Sequence, residues 1–244
     1  MKKMLPAAAA LVLLAGTACA AEGQWGYAGE NGPEHWAALD PSFALCAQRA
    51  NQSPVNLTGF IEAELEPISF DYSGLVTKLR RTNSTVQADY SAGSFITLGG
   101  RSYELKQIDF HTPSEHQIDG ESFPLEAQFV HADANGQLAV ISVLYNLGEE
   151  NFALKKLWQQ MPTEAGQEVG MATQVRADKL LPENREYYRV TGSLTTPPCT
   201  EGVLWLILKN QVATSEAQVK QFSELLGGPN NRPPQSLKAR AVLQ

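Results

Sequence analysis

The chain has 244 residues, of which 43% are hydrophobic and 18% charged, and its 19 basic and 26 acidic side chains give a formal net charge of −7. This acidic balance argues against a nucleic-acid partner, because such proteins present a basic surface. The length allows one domain with a sizeable hydrophobic core, and we expect residues 21–244 to form a single domain.

Residues 1–20 show the order of features found in a secretory signal. Two lysines precede an apolar run from Leu5 to Ala15, and small residues follow as far as Ala20. The run is shorter than the roughly 20 residues that span a bilayer, and no later segment is long and apolar enough. We therefore predict an exported protein without a transmembrane segment. Cys19 is an alternative lipid-attachment site, but Gly16 stands where a larger aliphatic residue is normally required.

Strands dominate the predicted secondary structure after the signal. Alternating and β-branched segments predict strands over residues 85–90, 94–98, 101–110, 125–132, 138–145, 185–191 and 203–209. Helices are predicted over about 151–160 and from Ser215, which forms a capping-box pattern with Gln218 before Gly227 ends the helix. The predicted fold class is therefore α+β and strand-dominated.

Two cysteines, Cys46 and Cys199, follow the signal, since Cys19 is removed with it. An even pair in a chain bound for an oxidising compartment predicts a Cys46–Cys199 disulfide. The alternative is a pair of buried free thiols.

The segment 107–116 concentrates ionisable side chains. On a strand, Gln107, Asp109 and His111 share one face, while Ile108 and Phe110 face the opposite, apolar side. Taken alone, an Asp-x-His pattern is more often a hydrogen-bonded polar pair at a sheet surface than a metal site. Both interpretations stay open from these residues.

A second strand, over residues 125–131, places Glu126, Gln128 and Val130 on one face. If Glu126 and Gln128 are buried, they need hydrogen-bond partners.

Several segments resemble the alpha class of carbonic anhydrases, in its bacterial secreted branch. They are Trp-Gly-Tyr at 25–27, Gly-Pro-Glu-His-Trp at 32–36, Gln-Ser-Pro-Val at 52–55, Phe-His-Thr-Pro-Ser-Glu-His at 110–116 and Gly-Ser-Leu-Thr-Thr-Pro-Pro-Cys at 192–199. The similarity spans nearly the whole chain after the signal. It implies a large, mostly antiparallel central sheet with short peripheral helices, a periplasmic location, and bridged cysteines at the positions of Cys46 and Cys199.

The resemblance also implies a chemistry, the reversible hydration of carbon dioxide to bicarbonate on a zinc ion held by three histidines. Carbonic anhydrase is the standard example of such a centre, whose bound water has a pKa near 7. The three matching positions here are Asp109, His111 and Gln128. A carboxylate partly neutralises the zinc charge, and an amide oxygen is a hard ligand better suited to calcium or magnesium. We therefore expect zinc to be weakly bound, altered or absent. Gln107 is expected to support Asp109, and Glu126 to accept a hydrogen bond from the amide of Gln128.

Other positions match the family more closely. Glu115 and Thr195 match the pair that orients the zinc-bound hydroxide. The apolar wall of the carbon dioxide pocket is matched by Val130, Val140, Leu194, Val203 and Trp205, with Thr196 beside it, although such residues equally suit a core. The proton-shuttle position holds Ser84, and Val190 stands where a tyrosine supports the hydroxide network, which weakens proton handling. His35, His116 and His131 are interpreted as structural histidines.

The sequence is compatible with three functions. The favoured one is a pseudoenzyme that keeps the fold to bind a small anion, a carbohydrate or a protein, with hydration lost or strongly reduced. The alternative is an atypical but active metal-dependent carbonate dehydratase that uses Asp109, His111 and Gln128. A structural surface protein would bind neither metal nor small ligand.

Overall fold

The computed structural model describes residues 25–48 and 50–244. The predicted signal at 1–20 and Cys19 lie outside these residues. Within the described part of the chain, no helix has the length and apolar character needed to cross a membrane.

The helices are short. They are α1 (Trp36–Leu39), α2 (Leu45–Gln48), α3 (Phe152–Trp158) and α4 (Glu216–Leu226), and 3₁₀ turns cover Gly29–Asn31, Pro41–Phe43 and Ala177–Leu180. The strands are β1 (Asn56–Leu57), β2 (Ser69–Tyr72), β3 (Val76–Arg81), β4 (Val86–Tyr90), β5 (Ser94–Leu98), β6 (Arg101–His111), β7 (Gln117–Ile118), β8 (Glu121–Ser122), β9 (Leu125–Ala132), β10 (Leu138–Leu147), β11 (Glu168–Gly170), β12 (Tyr187–Ser193), β13 (Glu201–Leu208) and β14 (Val212–Thr214).

One large sheet organises the described residues. It has 11 strands in the order β11-β3-β4-β6-β9-β10-β13-β12, with β5 and β2 extending from β6 and β14 pairing with β10. Its pairings are antiparallel except those of β10 with β13 and with β14. A small sheet of β1, β7 and β8 lies apart from it. The expected strand-dominated architecture, mostly antiparallel with short helices, is confirmed.

Most predicted elements are present. The capping box at Ser215 is formed with Gln218, and Gly227 ends α4 in the left-handed region at φ 82°. The helix predicted over 151–160 is shorter, Phe152–Trp158, with the Asn151 side chain accepting hydrogen bonds from the first turn. The strand predicted over 185–191 is shifted to Tyr187–Ser193, because its partner β13 ends at Leu208, which pairs with Tyr187.

The two faces of the sheet have different roles. One face carries the main core, which includes Ile108 and Phe110, and helices α3 and α4 cover it. Trp158 of α3 stacks on Phe222 of α4 at a ring-centroid distance of 5.0 Å. The opposite face carries a smaller core around Trp205 and the polar side chains of β6 and β9. The predicted alternation along β6 is therefore present, with the apolar residues in the core.

The predicted disulfide is present between Cys46 and Cys199, which are 153 residues apart in sequence. It joins α2 to the loop after β12, beside the buried Trp36 and Phe43. Arg232 reinforces the same junction, because its guanidinium donates hydrogen bonds to the carbonyls of Cys46 and Ser53. The segment before β1 is thus fixed to the edge of the pocket described below.

His131 is a buried histidine of the core that makes the stability of the fold depend on pH. Its Nε2 accepts a hydrogen bond from the Tyr72 hydroxyl at 2.7 Å, and the ring is fully buried. Burial lowers the pKa of His131 to about 3. The unfolded chain takes up a proton below about pH 6.5, whereas the folded state does not, so stability falls as the pH drops from there towards 3.

We expect this group to reduce the free energy of unfolding by about 2 kcal/mol between pH 7 and pH 5. Urea denaturation at the two pH values measures it in the native chain and in His131→Gln, which keeps an acceptor for Tyr72. The variant should lose about 2 kcal/mol less over this range. An equal loss in both proteins would show that another group causes the pH dependence.

Candidate functional site

A cavity of about 220 Å³ opens on the polar face of the sheet, over β4, β6, β9, β10 and β13. One side is polar and includes Gln87, Gln107, Asp109, His111 and Gln128. The other side is apolar and is formed by Val130, Val140, Leu194 and Trp205, with Trp25 at its edge. The cavity therefore offers both hydrogen-bonding groups and a nonpolar surface.

The register of the strands places the polar and the apolar side chains on separate sides of the cavity. Gln87 on β4 pairs with Asp109 on β6, which pairs with Gln128 on β9. Directly opposed residues on one sheet face lie about 5 Å apart at Cβ, so the three side chains form a polar row. Val130 pairs with Val140, which pairs with Trp205, and these form the adjoining apolar row.

The structure brings the three predicted ligand positions together at this cavity. Gln107 donates a hydrogen bond from Nε2 to Asp109 Oδ2 at 2.9 Å, the supporting contact expected from the sequence. Burial raises the pKa of Asp109, although the Gln107 hydrogen bond and nearby His111 oppose the rise. The second oxygen of Asp109 makes no hydrogen bond within the described residues.

His111 has a fixed orientation. Its Nδ1 lies 2.8 Å from the backbone carbonyl of Asn230, to which it donates, and its Nε2 lies 3.6 Å from Glu115 Oε2. Burial alone lowers the pKa of His111, but the Glu115 carboxylate and the Asn230 carbonyl lead the effects that together raise it above its ordinary value. The imidazole is therefore held between an acceptor behind it and carboxylates beside the cavity.

Glu126 is a buried acceptor beneath the polar row. It accepts hydrogen bonds from the backbone N–H groups of Glu115 and His116, from His116 Nδ1, from Gln128 Nε2 and from Ser142 Oγ. Burial raises its pKa, but the nearby His116 and His111 rings and the hydrogen bonds from His116 outweigh that effect and hold the pKa at about 2. The sequence expectation that Glu126 supports Gln128 agrees with this contact.

Gln128 also contacts Glu115. Its Nε2 donates to Glu115 Oε2 at 2.8 Å and to Glu126 Oε1 at 3.0 Å. The other Glu115 oxygen accepts from the backbone N–H of Arg232 at 2.9 Å. Each oxygen of Glu115 thus accepts one hydrogen bond, and no hydrogen bond joins Glu115 to Thr195 within the described residues. The pairing of Glu115 with Thr195 that the resemblance implied is not formed here.

The remaining predicted site residues divide between cavity and core. Thr195 and Thr196 line the cavity, as does Ser84. Val203 was predicted on the apolar wall, but it is not among the described residues that line the cavity; it is 2% exposed in the smaller core, together with Val140 and Trp205. Val190 is also buried there, opposite Trp205 in the sheet.

The three histidines interpreted as structural have different environments. His116 is fully buried and paired with Glu126, and its ring lies 4.5 Å from that of Trp205, measured between centroids. His131 is the buried core residue described above. His35 is exposed at the start of α1, so for this residue the interpretation of a packed structural histidine does not hold.

Five residues that line the cavity were not predicted as site residues from the sequence: Trp25, Thr82, Asn83, Thr85 and Gln87. Gln87 lies between Val86 and Ala88 on a predicted strand, so its side chain had to face away from theirs. That alternation marks it as polar-facing, but only the register with β6 shows that it adjoins Asp109. Trp25 reaches the cavity from the segment before α1, which local pattern does not predict.

Comparison with known proteins adds to this geometry. Residues 31–244 match the family described as eukaryotic-type carbonic anhydrase. The chain is 44% identical to a carbonic anhydrase of Neisseria gonorrhoeae, over 99% of this chain and 98% of that protein. It superposes on the alpha-carbonic anhydrase of Thermovibrio ammonificans in complex with the inhibitor sulfanilamide with a TM-score of 0.88 and 41% identity, over 90% of this chain and 98% of that one. It also resembles dioscorin complexed with ascorbate, with a TM-score of 0.84 and 32% identity, over 90% and 96% of the two chains.

Proposed function

Since this chain belongs to the alpha-class carbonic anhydrase family, we propose that it is an exported, periplasmic member in which carbon dioxide hydration is lost or strongly reduced. Its cavity is retained for binding a small molecule. The Cys46–Cys199 disulfide supports export, because such bonds persist in oxidising compartments.

The residues at the family's metal position do not fit its zinc ion. One imidazole, one carboxylate and one amide stand where three neutral imidazoles are required, and the described residues contain no cluster of three His, Cys, Asp or Glu side chains that could hold a metal. The Asp109 carboxylate reduces the net positive charge on a bound ion, and the Gln128 amide favours harder cations. We therefore assign no reaction step to a metal ion in this cavity.

The observation that carries the proposal is the contact of Gln128 with two carboxylates. Its amide nitrogen donates to both Glu115 and Glu126, so the carboxylates beneath the cavity are satisfied by hydrogen bonds from this side chain. Glu115 makes no hydrogen bond to Thr195 among the described residues, so the pair that orients an attacking hydroxide in the family is not joined here. The site is thus complete as a binding surface and incomplete as a hydration centre.

A solved relative supports a binding role on this fold. Dioscorin is described in complex with ascorbate, a small organic molecule, and it shares 32% identity with this chain at a TM-score of 0.84. The carbonic anhydrase fold therefore accompanies small-molecule complexes other than those with sulfonamide inhibitors.

The test combines elemental analysis of the purified protein with stopped-flow carbon dioxide hydration after zinc is added. We expect zinc far below one per chain and no chelator-sensitive hydration above buffer, because the three ligand positions do not form a strong zinc site. The carbonic anhydrase of Neisseria gonorrhoeae, measured in parallel, is the matched positive control. Stoichiometric metal with chelator-sensitive hydration would overturn the proposal.

That outcome would support the second candidate, an atypical carbonate dehydratase. Its supporting observation is that Asp109, His111 and Gln128 all line one cavity, with Gln107 holding Asp109. In that case Asp109→Ala should abolish both metal binding and hydration.

A further inference from the structure

Two polar side chains of the cavity are mostly buried, make no hydrogen bond among the described residues, and have their polar atoms open to the cavity. Gln87 is 9% exposed and Thr195 is 4% exposed, and both line the cavity. Among residues 25–48 and 50–244, neither the Gln87 amide nor the Thr195 hydroxyl makes a hydrogen bond. Because these atoms are open to the cavity, water satisfies them in the free protein and a bound ligand can take its place.

The charge of the site disfavours an anion there. Three carboxylates, those of Asp109, Glu115 and Glu126, are grouped with two imidazoles, those of His111 and His116. Carboxylates therefore outnumber imidazoles around the cavity. No lysine or arginine is among the described side chains that line the cavity.

Arg80 does not reverse this balance. It acts on Asp109 electrostatically, but its guanidinium is paired with Asp89 at 2.5 Å. A ligand that brings a full negative charge would therefore find no lysine or arginine among the described residues of the cavity lining to offset the neighbouring carboxylates.

The polar atoms of Gln87, Thr195 and Asp109 that make no hydrogen bond in the described part of the chain favour a neutral ligand over a cation. Amides and hydroxyls both donate and accept, whereas an ammonium group only donates. An ammonium would leave the N–H donors of Gln87 and the hydroxyl hydrogen of Thr195 unmatched. Ligand hydroxyls can accept from these donors and also donate to the free oxygen of Asp109.

Shape agrees with this chemistry. The polar row of Gln87, Asp109 and Gln128 lies beside the apolar row that contains Val140 and Trp205. A sugar ring likewise has hydroxyls at its edge and a C–H face. The volume of about 220 Å³ corresponds to about seven water molecules of liquid, which limits the occupant to a small molecule.

Building on the proposed function, we propose that this cavity binds a small neutral polyol of the size of a monosaccharide or cyclitol. Hydroxyls of the polyol occupy the row from Gln87 to Gln128, with Asp109 as the acceptor at its centre. Its C–H face packs on the apolar wall. Bicarbonate and ascorbate are excluded by charge.

The test is saturation-transfer NMR followed by calorimetric titration of the purified full-length protein. The neutral probes are D-glucose, D-galactose, D-mannose, D-ribose and myo-inositol, and the anionic probes are bicarbonate and ascorbate. We expect at least one neutral probe to bind and to exceed both anions in affinity. Gln87→Leu and Thr195→Val should each weaken that binding about tenfold, the effect of losing a hydrogen bond to a neutral group.

Gln159→Leu is the matched control, because it makes the same change on an exposed side chain outside the cavity and should leave affinity unchanged. Circular dichroism verifies the fold of each variant. The inference is overturned if no neutral probe binds, if an anion binds more tightly, or if neither cavity variant weakens binding. Each of these results leaves the proposed loss of hydration standing, since that loss is measured separately by zinc content and hydration rate.

Discussion

The double variant Asp109→His, Gln128→His is expected to bind zinc stoichiometrically and to hydrate carbon dioxide in a chelator-sensitive manner. With His111, it supplies three neutral imidazoles, which leave the ion its full charge and lower the pKa of bound water. Changing only an outer-shell partner alters metal affinity or activity about 10- to 100-fold, so restoring two direct ligands should raise both by more than about 100-fold.

The neighbouring residues already make the contacts that would orient histidines at positions 109 and 128. Gln107 already contacts position 109, and Glu126 already accepts a hydrogen bond from the side chain at position 128. Asn230 already orients His111 through its carbonyl. Removing the Gln128 amide also frees Glu115 Oε2 for other donors. Ser84 and Val190 are unchanged, so we expect the restored rate to stay below that of the relative from Neisseria gonorrhoeae.

Each single variant and the double variant Asp109→Ala, Gln128→Ala serve as controls. The alanine pair should bind no zinc, and each single histidine should bind it more weakly than the double reversion. Metal content by elemental analysis and stopped-flow hydration are the readouts. A folded double reversion that takes up no zinc would show that the two substitutions are not what removed the metal site.

The fold was largely predictable because its long strands have clear patterns. β6 and β9 alternate along most of their length, β10 is apolar over residues 138–145 apart from Ser142, and the three strands form the centre of the sheet. The strands that were not predicted lack such a signal. β11 has all three residues exposed, and β2 buries only Tyr72, so their place depends on pairing with β3 and β5.

The site was predictable in composition but not in its hydrogen bonds. Alternation on β6 and β9 placed Asp109, His111 and Gln128 on their faces, and the family resemblance indicated that they meet. Which carboxylate Gln128 contacts depends on the loop that carries Glu115, 13 residues before it, and on cross-strand register. Those are tertiary features, as is the row that joins Gln87 to Asp109.

Replacement of Glu126 by alanine is expected to cause the largest loss of stability in the site. The side chain is fully buried and accepts five hydrogen bonds, two from backbone N–H groups and three from His116, Gln128 and Ser142. Its removal leaves those donors without an acceptor and His116 without its charge partner. Breaking one side of a buried ion pair costs about 3–5 kcal/mol, so we expect a loss in that range or above.

Urea denaturation at neutral pH measures this loss, and thermal unfolding should show a midpoint about 6–20 °C lower, at roughly 2–4 °C per kcal/mol for a domain of this size. Ser142→Ala is the matched control, because it removes only one of the five donors and should cost about 1 kcal/mol. Glu126→Gln keeps one acceptor oxygen and should fall between the two. If Glu126→Ala were no less stable than Ser142→Ala, the other donors would have to find acceptors elsewhere, and Glu126 would not organise the floor of the cavity.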